Sequence, residues 1–259
     1  MKKGKEILLW IAILVYMIVV LGMVNNKLEN IPCQSIHVSI LDSTDNKFVS
    51  SHDIYSRVVS GNDEILGKPL SEVSTEDIEV EVERYPFVRS AEVFKSSEGS
   101  LNINIYQREP VVRILNYKEK GYYIDKEGFI MPVNEYYTAR VLVANGWNLN
   151  GMKTGIMLNG EQGNKNYNII KGVYELAYII YHDNFWKAQI EQIYVNRDGE
   201  CELIPRVGSH IIVFGGLENY EGKLRKLYAL YEQGLRNEGW NKYSTINLKF
   251  KDQVICTKR

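Results

Sequence analysis

Cysteine and histidine are scarce in this sequence. Its three cysteines, Cys33, Cys201 and Cys256, are too few and too scattered for a disulfide framework. Cys201 and Cys256 both fall in predicted strands, so they either form a pair or are small buried hydrophobic residues. The four histidines are His37, His52, His182 and His210. Their spacing does not bring two imidazoles onto one metal ion, so the sequence predicts no metal site and no cofactor.

The sequence also lacks an excess of positive charge and any recognisable catalytic motif. The formal net charge is −1, which excludes the broad basic surface of a nucleic-acid-binding protein. A stretch from Gly146 to Lys153 imitates a phosphate-binding loop, but Met152 separates Gly151 from the lysine and the geometry fails. No Gly-x-Ser-x-Gly segment is present. Asp125 lies in a segment typical of a turn, which explains an aspartate at that position. In the absence of a catalytic motif, we predict a protein without catalytic residues.

One long apolar run stands near the start of the chain. Residues 7–24 contain no charge, and at 1.5 Å per residue they span roughly 27 Å, close to the thickness of a hydrocarbon core. Lys2, Lys3 and Lys5 precede the run, so the positive-inside rule places the N-terminus in the cytoplasm. A cleaved signal peptide is the alternative, but the run is longer than usual for one and no Ala-x-Ala site follows it. The pattern predicts a cytoplasmic tail at 1–6, a transmembrane helix at 7–24 and the bulk of the chain outside the cytoplasmic (inner) membrane.

Residues 33–107 follow the order strand, helix, helix, strand, strand. The segment QSIHVSIL alternates apolar and polar residues, as a half-buried strand does. Ser50 and Ser74 are predicted caps of two short helices, and Pro86 ends the second. The segment 88–107 is a predicted hairpin with its turn at SSEGS. Val88 is out of phase with Ala91, so we expect either a bulge there or a strand that begins near Ser90.

The second of these helices has an acidic face formed by Glu79, Glu81 and Glu83. Glutamates two positions apart diverge around a helix, so they are poorly placed to share a metal ion or a proton. We predict a solvated helix surface.

Residues 108–256 read as a domain rich in strands, with two helices. The first helix lies within 163–183 and carries Ile169, Ile170, Val173, Ala177 and Ile180 on one face. The second begins near Leu217 and is predicted to pack on the sheet, because its two heptads are too few for a coiled coil. The segment YSTINLKFKDQVIC is predicted to be an amphipathic final strand. In it Ile246, Leu248 and Phe250 face the core, and Thr245, Asn247 and Lys249 face outward.

This ordered set resembles the FtsQ/DivIB family of bacterial cell-division proteins. The resemblance rests on YPFVRSAEV, LNINIYQREPVVRI and GYYIDKEGFI, which follow a single anchor in that order. It implies an α+β fold with a POTRA domain at 33–107 (β-α-α-β-β) and a β domain with two helices at 108–256. The insertion at 145–166 departs from the family pattern.

The resemblance also implies a function. Members of the family are non-catalytic scaffolds that bind the single-pass FtsB/DivIC-type and FtsL-type proteins by strand addition at the last strand, and so help to control the septal peptidoglycan synthase. Carried over, the docking strand holds Thr245, Ile246, Asn247, Leu248, Lys249 and Phe250, and the protein lies at the division septum. The alternatives are an anchored POTRA module that assists assembly of envelope proteins and an envelope enzyme that uses carboxylates.

Overall fold

The computed structural model describes residues 10–19, 31–41, 46–61, 65–116, 120–158 and 165–259. The chain divides into two compact units, Met1–Gln107 and Arg108–Arg259. Residues 10–19 are helical, whereas the predicted tail at 1–6 and residues 7–9 and 20–24 of the predicted transmembrane helix lie outside the described residues. Within the described ranges, no helix combines the length and the apolar character needed to cross a bilayer.

In the described residues between 31 and 107, the first unit forms three strands and two helices in the predicted order. They are β1 (Ser35–Ile40), α1 (Ser51–Gly61), α2 (Thr75–Glu83), β2 (Val88–Lys95) and β3 (Ser100–Gln107), with a 3-10 turn at Leu70–Glu72 before α2. The sheet order is β1-β3-β2. β1 runs parallel to β3, and β2 pairs with β3 in an antiparallel hairpin.

Local signals explain why these elements form. The hydroxyl of Ser74 accepts a hydrogen bond from the Asp77 amide at 3.2 Å, the predicted cap of α2. Ile78 and Val82 follow at helical spacing and are both buried. The register of β2 shifts between Val88 and Ser90, so of the two predicted alternatives the bulge is the one that forms.

The described residues of the second unit form a sheet of nine strands. They are β4 (Pro110–Ile114), β5 (Tyr122–Asp125), β6 (Ile130–Pro132), β7 (Leu142–Gly146), β8 (Ile190–Val195), β9 (Cys201–Pro205), β10 (Ile211–Gly215), β11 (Tyr243–Asn247) and β12 (Ile255–Lys258). The helices are α3 (Lys165–His182), α4 (Asn184–Gln189), α5 (Tyr220–Leu230) and α6 (Arg236–Glu238), with a π-helical turn at Tyr231–Leu235. The sheet order is β12-β11-β10-β9-β8-β7-β4-β5-β6.

A single apolar core joins this sheet to its helices. All five residues predicted for the apolar face of α3 are buried in it. On α5, Leu224 and Leu227 are buried in the same core, followed by Tyr231 in the π-helical turn. The second long helix therefore packs on the sheet, as predicted, although it begins at Tyr220 rather than near Leu217.

Candidate partner-binding edge

The predicted docking strand is not at the edge of the sheet. β11 runs parallel to β10 on one side and antiparallel to β12 on the other. The prediction of a single terminal strand over 243–256 is therefore wrong. The carboxamide oxygen of Asn247 accepts a hydrogen bond from the Lys249 amide at 3.0 Å, and this local turn ends β11. The chain then leaves the sheet and returns at Ile255 as β12.

The six predicted docking residues divide according to their contacts. Ile246 and Leu248 are fully buried, as predicted. Thr245 lies between Ile211 and Thr257, and Asn247 lies between Val213 and Ile255. The Lys249 ammonium lies 2.5 Å from a carboxylate oxygen of Glu200.

Phe250 differs from the prediction, because it follows the turn and is 44% exposed instead of reaching the core. The contribution of these six residues to partner binding stays a prediction.

The edge of the sheet, which was predicted to lie at the segment now seen as β11, is formed by β12. The Leu248 amide donates to the Val213 carbonyl at 2.9 Å, and the Arg259 amide donates to the Lys242 carbonyl at 3.3 Å. Because main-chain groups alternate in direction along a strand, Ile255 and Thr257 are directed at β11, whereas Cys256 and Lys258 direct their main-chain N–H and C=O away from it. Within the described part of the chain, β12 has β11 as its one strand neighbour. Four main-chain groups are thus available to an added strand.

A lysine of α5 holds the segment that leads into β12. The Lys226 ammonium donates hydrogen bonds to the carbonyls of Leu248 at 3.2 Å, Phe250 at 2.5 Å and Lys251 at 3.3 Å. Three carbonyls around one charged donor replace the hydrogen bonds that a strand would have supplied. This residue was missed by the sequence analysis, since its acceptors lie 22 to 25 positions further along the chain.

An aromatic cluster supports the other end of this edge. Tyr231 lies in the π-helical turn, and its ring is 5.1 Å from the ring of Trp240. Its hydroxyl is 3.2 Å from Nε2 of His210, which is buried at the start of β10. Burial, reinforced by the positive charge of Arg259, lowers the pKa of His210. Arg259 is itself held by a 2.7 Å hydrogen bond from its guanidinium to the Ser209 carbonyl.

Cys201 and Cys256 do not form a pair. Cys201 lies on β9 and Cys256 on β12, with β10 and β11 between them. Three strand spacings amount to roughly 14 Å, about twice the distance that a disulfide can bridge. Both thiols are free, and Cys201 is fully buried, which raises its pKa to about 12. Of the two alternatives, a small buried hydrophobic residue fits Cys201, whereas Cys256 is only partly buried.

The carboxylate of Asp125 is bonded to its own turn and to a neighbouring arginine. Asp125 accepts hydrogen bonds from the amides of Glu127 at 2.9 Å and Phe129 at 2.7 Å, which confirms the predicted turn. Its second oxygen lies 3.0 Å from the Arg108 guanidinium. Burial raises the pKa of Asp125, against the opposing effects of these partners.

A cavity of about 460 Å³ is lined by Lys165, Asn168, Ile169, Gly199 and Leu217, none of which is a carboxylate. Among the residues that the structure describes, no three histidine, cysteine, aspartate or glutamate side chains are grouped closely enough to hold a metal ion. The open edge of β12 is the candidate site that remains.

Comparisons with known proteins agree with this two-unit architecture. The family model described as FtsQ/DivIB, C-terminal related matches residues 109–257. A model of the POTRA-like domain matches residues 31–106.

One curated relative is a cell division protein FtsQ of Rhodothermus marinus. It is 27% identical over 179 residues, which cover 67% of this chain. The matched region spans about three fifths of that relative's length, 62%.

Proposed function

Because this chain belongs to the FtsQ/DivIB family, we propose that it is a non-catalytic scaffold of the bacterial division complex. Residues 7–24 anchor it in the cytoplasmic membrane, and the chain that follows the anchor lies outside the cytoplasm. It gathers single-pass partners of the FtsB/DivIC and FtsL types at the septum and thereby helps to control septal peptidoglycan synthesis. The open edge of β12 carries this proposal, since an edge strand is where an extended segment of another chain adds to a sheet.

The proposed docking surface combines the main chain of β12 with the residues around it. The N–H and C=O groups of Cys256 and Lys258 bind the added strand. Ile246 and Leu248 fix β11 to the core, and Thr245 and Asn247 hold β12 against β11. Phe250 and Ile255, which are 44% and 43% exposed, offer apolar contacts beside the edge, and Lys249 lies at its rim.

The charge of this region favours an acidic partner segment. Residues 242–259 contain five basic residues and one acidic residue, a formal charge of +4, which leaves −5 for the preceding 241 residues. Lys258 and Arg259 lie at the end of the edge strand itself. Complementary charge accelerates association and selects among partners, so we expect carboxylates in the segment that docks.

The test replaces one outward-facing main-chain donor. Cys256→Pro removes an N–H that is directed away from β11, and proline is tolerated at such edge positions. The matched control is Cys256→Ala, which removes the thiol and keeps the N–H. We expect the proline variant of the full-length chain to lose at least tenfold in affinity for the purified extracytoplasmic part of the organism's FtsB/DivIC-type protein, with an unchanged thermal midpoint. Wild-type affinity in the proline variant would overturn strand addition at this edge.

The cellular role has a separate readout. A fluorescent fusion of the wild-type chain is expected at the septum, and cells that depend on Cys256→Pro are expected to form filaments. A uniform envelope signal together with normal division would instead support a role in envelope assembly.

A further inference from the structure

The sheet of the first unit has an edge at β2, and two of its outward amides are already occupied. β2 is at one end of the order β1-β3-β2. The Val93 amide donates to a carboxylate oxygen of Glu79 at 2.7 Å, and the Ala91 amide donates to one of Glu83 at 3.1 Å. Both acceptors belong to α2, so two glutamates of the predicted solvated face are bonded to a strand instead.

The geometry of a helix and a strand explains why two bonds form. Glu79 and Glu83 are four residues apart, which is a rise of about 6.0 Å along a helix. Val93 and Ala91 are two residues apart, which is about 6.8 Å along an antiparallel strand. The pairs run in opposite chain order, so α2 is antiparallel to β2, and one helical turn matches one strand repeat.

Buried neighbours hold the two glutamates in place. Ile78 and Val82 each precede one of them and are 2% and 0% exposed, so the orientation of α2 is fixed by the core. Glu81, between the two, instead forms an ion pair with Arg84 at 2.8 Å on the surface. Of the three glutamates of the predicted acidic face, Glu79 and Glu83 therefore accept hydrogen bonds from the strand, whereas Glu81 does not.

We propose that Glu79 and Glu83 are specificity-determining residues that close the β2 edge to strand addition. Their carboxylate oxygens occupy the places that carbonyl oxygens of an added strand would take, and they bring no donor with which a strand could pair. Their charges also oppose edge-to-edge pairing. Insofar as this closure directs the division partner to β12, it rests on the proposed function; the closure itself does not.

The main experiment removes the acceptors and measures whether the edge opens. In the full-length chain purified in detergent, Glu79→Ala with Glu83→Ala is expected to accelerate hydrogen exchange of the Ala91 and Val93 amides at least tenfold. The opened edge is then expected to pair with a second copy of the chain, which sedimentation equilibrium detects as a dimer at micromolar concentration. Glu81→Ala is the matched control and should change neither quantity.

A conservative variant separates closure from a general loss of stability. Glu79→Gln with Glu83→Gln keeps an oxygen acceptor at each position, so it is expected to stay monomeric with exchange close to that of the wild type. If the alanine variant fails to fold, Glu79→Ala alone exposes the Val93 amide and is expected to show faster exchange and weaker self-association. A folded alanine variant that remains monomeric would overturn the proposal, whether or not its exchange is faster.

The outcome is distinguishable from the test of the proposed function. Cys256→Pro does not alter the first unit's edge, and the two glutamate substitutions do not alter β12. Failure of the proline variant to reduce partner binding would count against docking at β12 and leave the self-association result standing. Self-association that is equal in wild type and alanine variant would count against the closure alone.

Discussion

The two ends of the nine-stranded sheet differ in how their main chains are bonded. At one end, the Ile130 amide of β6 donates to the Ile156 carbonyl at 2.9 Å, and the Ile130 carbonyl accepts from the Gly155 amide at 2.8 Å. Pro132 has no N–H to offer. Ile130 and Met131 are fully buried, so this edge is covered in the manner of a core strand.

At the other end, β12 is four residues long and mostly exposed. Cys256 is its one side chain packed against the core. Exposure of the β12 edge is not a general property of this sheet, because the same unit covers its opposite edge with a loop. The open edge of β12 is therefore a particular feature of this end of the sheet.

The largest expected effect tests whether β11 is structural. Ile246→Ala is expected to lower the free energy of unfolding of the second unit by about 2–5 kcal/mol, because the isoleucine is fully buried between β10 and β12. Urea denaturation followed by tryptophan fluorescence measures this, since Trp186 is buried in the same core. Thr245→Ala, on the same strand, is expected to cost less than about 1 kcal/mol. Equal costs would mean that β11 does not anchor the edge.

The second expectation concerns the segment that leads into β12. Lys226→Met removes the donor shared by three carbonyls and is expected to weaken the local order of β12 by about 1–2 kcal/mol. Hydrogen exchange of the Ile255 and Thr257 amides, which are directed at β11, should accelerate roughly five- to thirtyfold. Ile130 at the covered edge should exchange as in the wild type.

Arg225→Met supplies the control for this substitution. Arg225 is the exposed neighbour of Lys226 on α5, so its loss removes a similar charge without the three carbonyl contacts. Similar acceleration in both variants would show that the effect comes from the helix charge and not from the hydrogen bonds.

Sequence periodicity predicted the first unit well, because its signals are local. The cap at Ser74, the bulge near Val88 and the alternation of β3 each depend on residues within a few positions. The roles of Glu79 and Glu83 could not be predicted, because the amides that they bind lie 14 and 8 residues away on another element. A charged helix face has the same pattern whether it faces water or a strand edge.

The edge strand was misplaced for a related reason. Apolar and polar residues go on alternating in the sequence beyond the end of β11, but the strand itself does not continue. Asn247 turns the chain there, and Lys226 holds the segment that follows Leu248 out of the sheet. The true edge strand has four residues, fewer than a periodic pattern needs to be recognised. Its signal was the pair of β-branched residues, Ile255 and Thr257, that flank Cys256.

A smaller effect is expected from the charge at the open edge. Lys258→Glu should weaken binding of the FtsB/DivIC-type segment about three- to tenfold at low ionic strength, mainly through a slower association rate. The loss should shrink above 0.5 M salt, because exposed charges are screened. Lys171→Glu, exposed on α3, changes the net charge equally and serves as the control. Equal losses in the two variants would indicate general attraction and not recognition at β12.

The smallest effect concerns the buried histidine beside the open end. Burial lowers the pKa of His210 in the folded chain, so the unfolded chain binds the proton more readily. The stability that His210 contributes is therefore complete above pH 6.5, the ordinary pKa of the group, and is lost as pH falls from there towards the lowered pKa. The slope of stability against pH cannot exceed about 1.4 kcal/mol per pH unit for one proton.

Denaturation of the second unit between pH 5 and 8 measures this slope, and His210→Gln should flatten the profile. His37→Gln, an exposed position of the first unit, should leave it unchanged. A profile that is flat in the wild type would show that protonation of this histidine is not linked to the folding of the edge.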